Sequence, residues 1–291
     1  MRAFDFWIMI LCCLCWGGNF VMIAWALGDS TVPPFMLAAV RAGIVLVLVG
    51  YFLFRPLPKH FLKLLFVAFC VGPVHLGLLY TGLQTASASG ASILSQALIP
   101  IATLLSVVWL KEHIGWRRSV AIIGALIGVV IMIYEPGALS FDPALIFVLG
   151  AYVSMAFGTV VIRRIPNVDW RVYVAWTAVL IIVLLSGLSL LFEDNHAEIW
   201  RVDKQPLLIA AGYSAITVSV IAHGQYFRLL QSYSVNRVVP LTILVTVFAT
   251  ILGVLLLDET LYPRYIIGAA LILPCVWFIA RRGAPAPVDL E

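Results

Sequence analysis

The chain has 291 residues, of which 63% are hydrophobic and only 11% are charged, and its formal net charge is +4. Soluble domains carry roughly a quarter charged residues, and a soluble globule of this size could not cover its surface with so few polar groups. Together with a mean hydropathy of +1.07, this composition excludes a water-soluble domain, and the small basic excess gives no nucleic-acid footprint. It predicts an all-α integral membrane protein.

Ten apolar segments are long enough to cross a bilayer, for which a helix needs about 20 residues. In chain order they are 4–27, 33–54, 61–82, 87–110, 116–134, 142–163, 170–192, 205–228, 237–257 and 262–281. The first segment is longer than the apolar core of a cleaved signal peptide and is interrupted by Asn19, so we expect it to be retained. The loops between segments are short and leave no room for a soluble domain.

The basic residues predict the orientation of these helices. Most of them fall on one side of the membrane, and the other side receives only Arg201, Lys204 and Arg264. Because cytoplasmic loops carry the excess of Lys and Arg, both termini are predicted to be cytoplasmic. This orientation requires an even number of spans, as a count of ten provides.

The second half of the chain repeats the first. Residues 83–112 match residues 230–259 at a constant offset of 147. We therefore predict a first five-helix repeat over 1–136, a second over 137–282 and a disordered tail over 283–291. Five is an odd number, so the second repeat must be inverted relative to the first. Two inverted repeats around a central cavity, with the site near the midplane, are typical of secondary transporters.

Short motifs lie along the chain, and two kinds of them occur once in each half, the Leu-x-Glu elements and the small-residue stretches. The motifs are Trp-Gly-Gly-Asn-Phe at 16–20, a proline and an arginine eight residues apart over 33–41, Leu-Lys-Glu at 110–112, Leu-Asp-Glu at 257–259, and small-residue stretches at 124–128 and 268–272. In order and spacing they resemble the motifs of the EamA family, within the drug/metabolite transporter superfamily. Only the sixth helix departs, with Met-Ala-Phe-Gly at 155–158 in place of a tryptophan-centred motif. The resemblance implies ten helices, a central substrate cavity and export of amino acids or related metabolites across a bacterial inner membrane.

Polar side chains deep in the predicted spans are candidates for substrate contact, because polar groups in hydrocarbon are costly. The candidate substrate-binding residues are Trp16, Asn19, His75, Tyr80, Gln96, Tyr152, His223 and Thr242. His75 and Tyr80 have approximate counterparts in His223 and Tyr226, which would place imidazole and phenol groups on both walls of one cavity. Each histidine has the alternative of a packing bond to a neighbouring helix, and Asn19 that of a backbone bond at Gly17–Gly18. Trp16 and Tyr226 have the alternative of an interfacial aromatic belt.

A second set of residues is assigned to structure or gating: Arg41, Pro73, Pro100 and Pro240. Arg41 is the one basic residue inside a predicted span. The resemblance favours a structural role for it over contact with an anionic group. These prolines and Pro274 remove backbone hydrogen bonds and are predicted hinges for alternating access.

The acidic residues lie at predicted helix ends and in loops, and none lies at mid-membrane. We therefore expect transport of a neutral or zwitterionic solute without a proton couple based on an intramembrane carboxylate, although a histidine could carry a proton. The expected partners are a small-molecule substrate and the lipid bilayer, with no nucleic acid, no metal, no cofactor and no catalytic residue. A monomer is compatible with the sequence.

Two other functions compete with this interpretation. A lipid-linked carrier flippase would need a lateral opening and a basic head-group pocket, for which only Arg41 is available. An intramembrane serine protease would use the Gly-Ala-Ser sequence at 90–92 with His75 or His223 as base, but neither the helix count nor the inverted repeat favours it.

Overall fold

The computed structural model describes residues 2–28, 32–56, 59–111, 113–135, 140–162, 164–165, 168–194, 196, 204–233 and 238–281. The tail predicted to be disordered, 283–291, and Glu112 of the first Leu-x-Glu motif lie outside these residues. The α-helices in chain order are α1 (Ala3–Gly28), α2 (Pro34–Val49), α3 (Phe61–Phe69), α4 (His75–Leu83), α5 (Ala88–Ser95), α6 (Leu98–Leu110), α7 (Trp116–Ile133), α8 (Pro143–Ile162), α9 (Trp170–Phe192), α10 (Gln205–Gly212), α11 (His223–Ser232), α12 (Ile243–Leu257) and α13 (Pro263–Arg281). Two short strands, β1 (Tyr134–Glu135) and β2 (Ser140–Phe141), pair antiparallel after α7.

The described helices give nine candidate membrane spans and one shorter apolar helix. Nine stretches are long and apolar enough to cross a bilayer, and α12, with 15 residues, is a shorter apolar helix. Spans 3, 4 and 8 each run through two helices, which are α3–α4, α5–α6 and α10–α11, and span 2 continues from α2 through a 3₁₀ turn to Phe54. The all-α membrane fold with about ten helices, predicted from composition and segment length, is confirmed.

The sequence repeat is visible in the backbone where spans 4 and 9 end. Helices α6 and α12 are followed by Lys111 (φ 53°) and Asp258 (φ 51°), the two non-glycine residues with positive φ among those that the structure describes. These positions are separated by 147 residues, the offset of the sequence repeat. A left-handed residue at the C-terminus stops a helix by turning the chain away from its axis. Both halves therefore end their fourth span with the same turn.

Small residues allow the spans to pack closely. Repeat-related spans lie against each other, α2 on α9 and α7 on α13, and α1 packs along α12. A Cβ added at Gly128 would lie 2.8 Å from Ile272 Cγ1 and 3.0 Å from the Gly268 carbonyl oxygen. A Cβ at Gly17 would lie 2.8 Å from the Ala249 nitrogen. Because such approaches are typical of helix contacts in membranes, the small-residue motifs act as packing surfaces.

Spans 3 and 8 contain π-helical segments at related positions. Residues Cys70–Val74 join α3 to α4, and residues Tyr213–Ala222 join α10 to α11. Each segment ends directly before a histidine, His75 in span 3 and His223 in span 8. Wider π turns are rare and occur often at functional sites, so their repetition draws attention to the residues around the two histidines.

The prolines predicted to be hinges lie in different surroundings. Pro73 is inside the π segment of span 3, and Pro100 is the third residue of α6, just after the interruption between α5 and α6. Pro240 belongs to a 3₁₀ turn, Val239–Thr242, that precedes α12, whereas Pro274 lies within the continuous helix α13. Irregular backbone therefore accompanies Pro73, Pro100 and Pro240, and their role in gating stays a prediction.

Candidate functional site

Aromatic rings from the two halves of the chain meet near the middle of α1. The Trp16 ring lies 5.3 Å from the His223 ring and 5.1 Å from the Tyr226 ring, in edge-to-face geometry. Such pairs are favourable beyond the area that they bury. We call Trp16, His223 and Tyr226 the aromatic cluster. Trp16 lies half-way along α1, away from the helix ends where residues of an interfacial belt are found.

His75 makes a related contact between spans 3 and 6. Its ring lies 5.1 Å from the Tyr152 ring, and its Nδ1 lies 2.9 Å from the carbonyl oxygen of Ala151. His223 Nδ1 lies 2.7 Å from the carbonyl oxygen of Val218, within the π segment of its own span. A carbonyl oxygen only accepts, so each Nδ1 carries the proton and the Nε2 of the neutral ring is an acceptor. Each histidine thus donates a hydrogen bond to the backbone through Nδ1, and its Nε2 is the ring atom that can accept a hydrogen bond from a ligand.

Arg41 belongs to span 2, and its side chain contacts spans 3 and 8. Its Nη1 donates to the Tyr80 hydroxyl at 3.0 Å, and its Nη2 donates to the Ser219 hydroxyl at 3.2 Å. Tyr80 is completely buried, and the Ser219 hydroxyl in turn donates to the Ser214 carbonyl oxygen at 3.1 Å. The guanidinium therefore connects a residue of the first repeat with the π segment of the second.

Asn19 binds span 8 and does not use its amide oxygen for the backbone at Gly17–Gly18. Its Oδ1 accepts a hydrogen bond from the hydroxyl of the fully buried Ser214. The neighbouring Tyr213 hydroxyl donates to the Cys15 carbonyl oxygen at 3.0 Å. Two adjacent residues of the π segment therefore fix the middle of α1.

Gln96 joins spans 4 and 9. Its Nε2 donates to the Thr246 hydroxyl at 3.0 Å, and that hydroxyl donates to the carbonyl oxygen of Ser92 at 3.1 Å. Gln96 and Thr246 are both buried. Thr242, one turn earlier, is half-buried where the 3₁₀ turn meets α12. Gln96 is thus a deep polar residue, as predicted, and its amide binds Thr246.

Carboxylates hold the N-termini of two helices. Glu193 accepts from the backbone N–H groups of Phe35 and Met36, at 2.7 and 3.1 Å, at the start of α2. Glu259 accepts from those of Ala88 and Ser89, at 2.5 and 3.0 Å, at the start of α5. The first N–H groups of a helix lack partners within it, and the helix dipole favours negative charge there. Both carboxylates therefore stabilise span ends.

Ser214 and Ser219 are not among the residues predicted from the sequence, although Ser214 binds Asn19 and Ser219 binds Arg41. They are five residues apart in a π segment, where that spacing places them together. The periodicity of 3.6 residues used to read an α-helix separates them. Five-residue spacing of serines ahead of a histidine is the signal that could have identified them.

The middle of the bundle offers hydrogen-bonding and aromatic groups. Among the residues described, no group of three or more His, Cys, Asp or Glu side chains is arranged to hold a metal ion. A cavity of about 870 Å³ opens elsewhere, at the ends of α1 and α11, and Arg2, Asp5, Arg228 and Tyr233 contribute to its lining. Asp5 closes one wall by binding Arg228 at 3.0 Å and the Tyr233 hydroxyl at 2.6 Å. The central cavity predicted from the repeat stays a prediction.

Comparison with known proteins connects these features to transport. The model of the EamA-like transporter family matches residues 4–134 and 142–281. A protein of Escherichia coli (strain K12) named "Probable amino-acid metabolite efflux pump" is 27% identical over 277 residues, covering 91% of both chains. A protein of the same name in Salmonella typhimurium is 27% identical over 282 residues, covering 94% of this chain and 93% of its own.

Two further matches bear on family and fold. A WAT1-related chloroplastic protein of Arabidopsis thaliana is 30% identical over 269 residues, which cover 84% of this chain; the match spans 62% of the plant protein's length. A protein of known crystal structure, 20% identical, superposes with a TM-score of 0.63 over 97% of this chain and 99% of its own. At that identity the similarity concerns the fold alone.

Proposed function

The chain belongs to the EamA-like transporter family, and we propose that it exports neutral and aromatic amino acids across a bacterial inner membrane by alternating access. Members of this family are transporters and not enzymes, so the partners of this chain are a small-molecule substrate and the bilayer. The names of the two bacterial relatives support amino-acid metabolites as the substrate class. In this proposal both termini are cytoplasmic, and residues 1–136 and 137–282 are the two halves that move relative to each other.

The observation that carries the substrate class is the repeated pairing of a histidine with an aromatic ring. His75 contacts Tyr152, and His223 contacts Trp16, each histidine directly following a π segment. The Nε2 of each neutral ring can accept a hydrogen bond from an ammonium group. The faces and edges of the aromatic rings suit an apolar or aromatic side chain. A zwitterion with an apolar side chain matches this combination.

We further propose that transport is driven by the solute gradient alone. The carboxylates of Glu193 and Glu259 hold the ends of α2 and α5, and no acidic residue occurs in the middle of any span. A carboxylate that binds a proton in mid-membrane is thus missing from the chain. A proton current that accompanies substrate flux would refute this part of the proposal and direct attention to His75 and His223.

The test is uptake of labelled neutral and aromatic amino acids into proteoliposomes without any ion gradient. We expect saturable uptake that unlabelled substrate competes for. Trp16→Leu should raise KM for aromatic substrates several-fold, because an aromatic pair contributes about 0.5–1.5 kcal/mol. Trp116→Leu is the matched control, since that side chain is 72% exposed at the start of α7. Equal KM values for the two variants would refute the role of the aromatic cluster.

The alternatives make different predictions in the same assay. A flippase would move labelled lipid-linked carrier between leaflets and would leave amino acids outside the vesicles. A protease would need a free nucleophile, whereas the fully buried Ser92 hydroxyl donates to the Ser89 carbonyl oxygen of its own helix at 2.9 Å. Transfer of the lipid without amino-acid uptake would replace the export proposal with the flippase.

A further inference from the structure

Arg41 carries a charge inside a membrane span and binds neutral partners. It is the eighth of 21 residues in the span Pro34–Phe54, close to the middle of the helix. Its hydrogen-bond partners are the hydroxyl groups of Tyr80 and Ser219, at 3.0 and 3.2 Å. A charged side chain at this depth is costly, and such residues commonly mark substrate pathways. Two neutral hydroxyl groups orient the guanidinium without neutralising it.

Unlike Arg41, three other arginines of the described chain form ion pairs with carboxylates. Arg264 lies 3.0 Å from Asp142, and Arg228 lies 3.0 Å from Asp5. No carboxylate of a described residue lies within 4.0 Å of Arg41. Charges removed from water are normally retained when they are paired. Arg41 is half-buried, and an anion from outside this part of the chain would pair with it.

We propose that Arg41 binds the carboxylate of the transported solute, and that Tyr80 and Ser219 are positioning residues for its guanidinium. The two observed bonds use two of the five N–H donors of a guanidinium, whose planar fork matches a carboxylate with two parallel bonds. Tyr80 lies in the first repeat and Ser219 in the second, so the site lies between the halves that move. This inference rests on the proposed export function and deepens it: the solute must carry a free carboxylate.

The first test uses the wild-type protein. Uptake of labelled phenylalanine into proteoliposomes is competed with phenylalanine amide, which lacks the carboxylate, and with 3-phenylpropionate, which lacks the ammonium group. We expect the amide to compete about 30-fold or more weakly than phenylalanine, because it loses a charge-assisted bidentate contact. We expect 3-phenylpropionate to compete. An amide that competes within about threefold of phenylalanine would overturn the proposal, since a bidentate carboxylate contact should discriminate far more.

The second test compares Arg41→Gln with Arg55→Gln, a matched control. Arg55 lies at the end of the same span, is half exposed, and pairs with Asp169 at 3.4 Å, so its loss should leave ligand binding unchanged. The readout is the rise in thermal unfolding temperature of the detergent-solubilised protein on addition of 3-phenylpropionate. We expect this rise in the wild type and Arg55→Gln and its loss in Arg41→Gln. An equal rise in all three proteins would contradict the inference.

A purely structural Arg41 has a distinct signature. Arg41→Lys keeps the charge and loses the fork, so it should fold, transport with a raised KM and discriminate less between the acid and the amide. A structural role predicts lowered stability with unchanged discrimination, which would refute the inference. If Arg41→Gln fails to fold, Arg41→Lys and the wild-type competition decide the question.

Failure of this inference differs from failure of the export proposal. Amino-acid uptake that the amide inhibits as well as the acid would leave the export function standing and remove the role of Arg41. If there is no amino-acid uptake, but carboxylates stabilise the protein and Arg41→Gln abolishes that effect, Arg41 keeps its role as a carboxylate site and the export proposal fails. Neither uptake nor stabilisation by a carboxylate, in folded wild-type protein, would refute both.

Discussion

Removing the carboxylate of Glu259 should destabilise the protein through the start of span 4. Glu259 accepts hydrogen bonds from the Ala88 and Ser89 N–H groups and from the Ser89 hydroxyl, at 2.5, 3.0 and 2.5 Å. Ala88 and Ser89 are fully buried, so Glu259→Ala leaves two backbone donors without this acceptor, each at a cost of about 1–3 kcal/mol. The lost interaction with the helix dipole adds about 0.3–1 kcal/mol. We expect a total loss of about 3–5 kcal/mol, because such contributions are not fully additive.

The assay is thermal unfolding in detergent, followed by the loss of the monodisperse peak in size-exclusion chromatography. At about 2 °C for each kcal/mol in a chain of this size, Glu259→Ala should lower the midpoint by about 6–10 °C. Glu259→Gln keeps an acceptor oxygen and should lose about half as much. Glu135→Gln is the matched control, since Glu135 is half exposed and lies 3.8 Å from Arg264, and such pairs contribute about 1 kcal/mol or less.

A second substitution attacks the same contact from the opposite side. A Cβ added at Gly253 would lie 2.5 Å from Glu259 Oε2 and 2.9 Å from Ser89 Oγ. Gly253→Ala should therefore displace the carboxylate, and the double variant with Glu259→Ala should be less unstable than the sum of the two. At about 2 °C for each kcal/mol, a Glu259→Ala midpoint within about 1–2 °C of the wild type would mean a loss of about 1 kcal/mol or less. That result would refute the role of Glu259 at the start of span 4. Strict additivity of the two variants would refute the shared contact.

Two other predictions concern contacts between the repeats. Gly17→Val should abolish the monodisperse peak, because its Cβ would lie 2.8 Å from the Ala249 nitrogen. Gly43→Val is the control and should retain the peak, since a Cβ at Gly43 has no atom within 4 Å. A folded Gly17→Val variant would contradict the packing of α1 on α12. Gln96→Leu should lower the unfolding midpoint by only about 2 °C, since one neutral hydrogen bond to Thr246 contributes about 1 kcal/mol. It should raise KM in the uptake assay if Gln96 contacts substrate, and an unchanged KM would assign Gln96 to packing alone.

The number and limits of the membrane helices could be predicted from sequence because each span is a local property. An apolar run of about 20 residues must satisfy its own backbone hydrogen bonds in lipid, and a helix is the structure that does so. The span from Trp170 to Phe192 was predicted to the residue, and most others within one or two. The repeat was equally readable, since a constant offset of 147 residues needs only the sequence.

The sequence also indicated several of the residues that the structure places in contacts between distant segments. Trp16, Asn19, His75, Gln96 and His223 each stand out because a polar or bulky group in the middle of an apolar helix is unusual. The hydrogen-bond partners of these residues could not be predicted from the sequence. For Asn19 and Gln96 these partners, Ser214 and Thr246, lie 195 and 150 residues away in the chain, and periodicity within one helix carries no information on that distance.

Composition, span length, repeat offset and family were thus determined by the sequence alone, because each depends on neighbouring residues or on comparison of the chain with itself. The tertiary structure decided which hydroxyl groups face Arg41, that the π segments precede both histidines, and that Glu259 reaches across to span 4. These features depend on how ten nearly uniform apolar helices pack. In a membrane that packing is selected by small-residue contacts and buried hydrogen bonds rather than by hydrophobic pattern, because lipid is as apolar as the helices themselves.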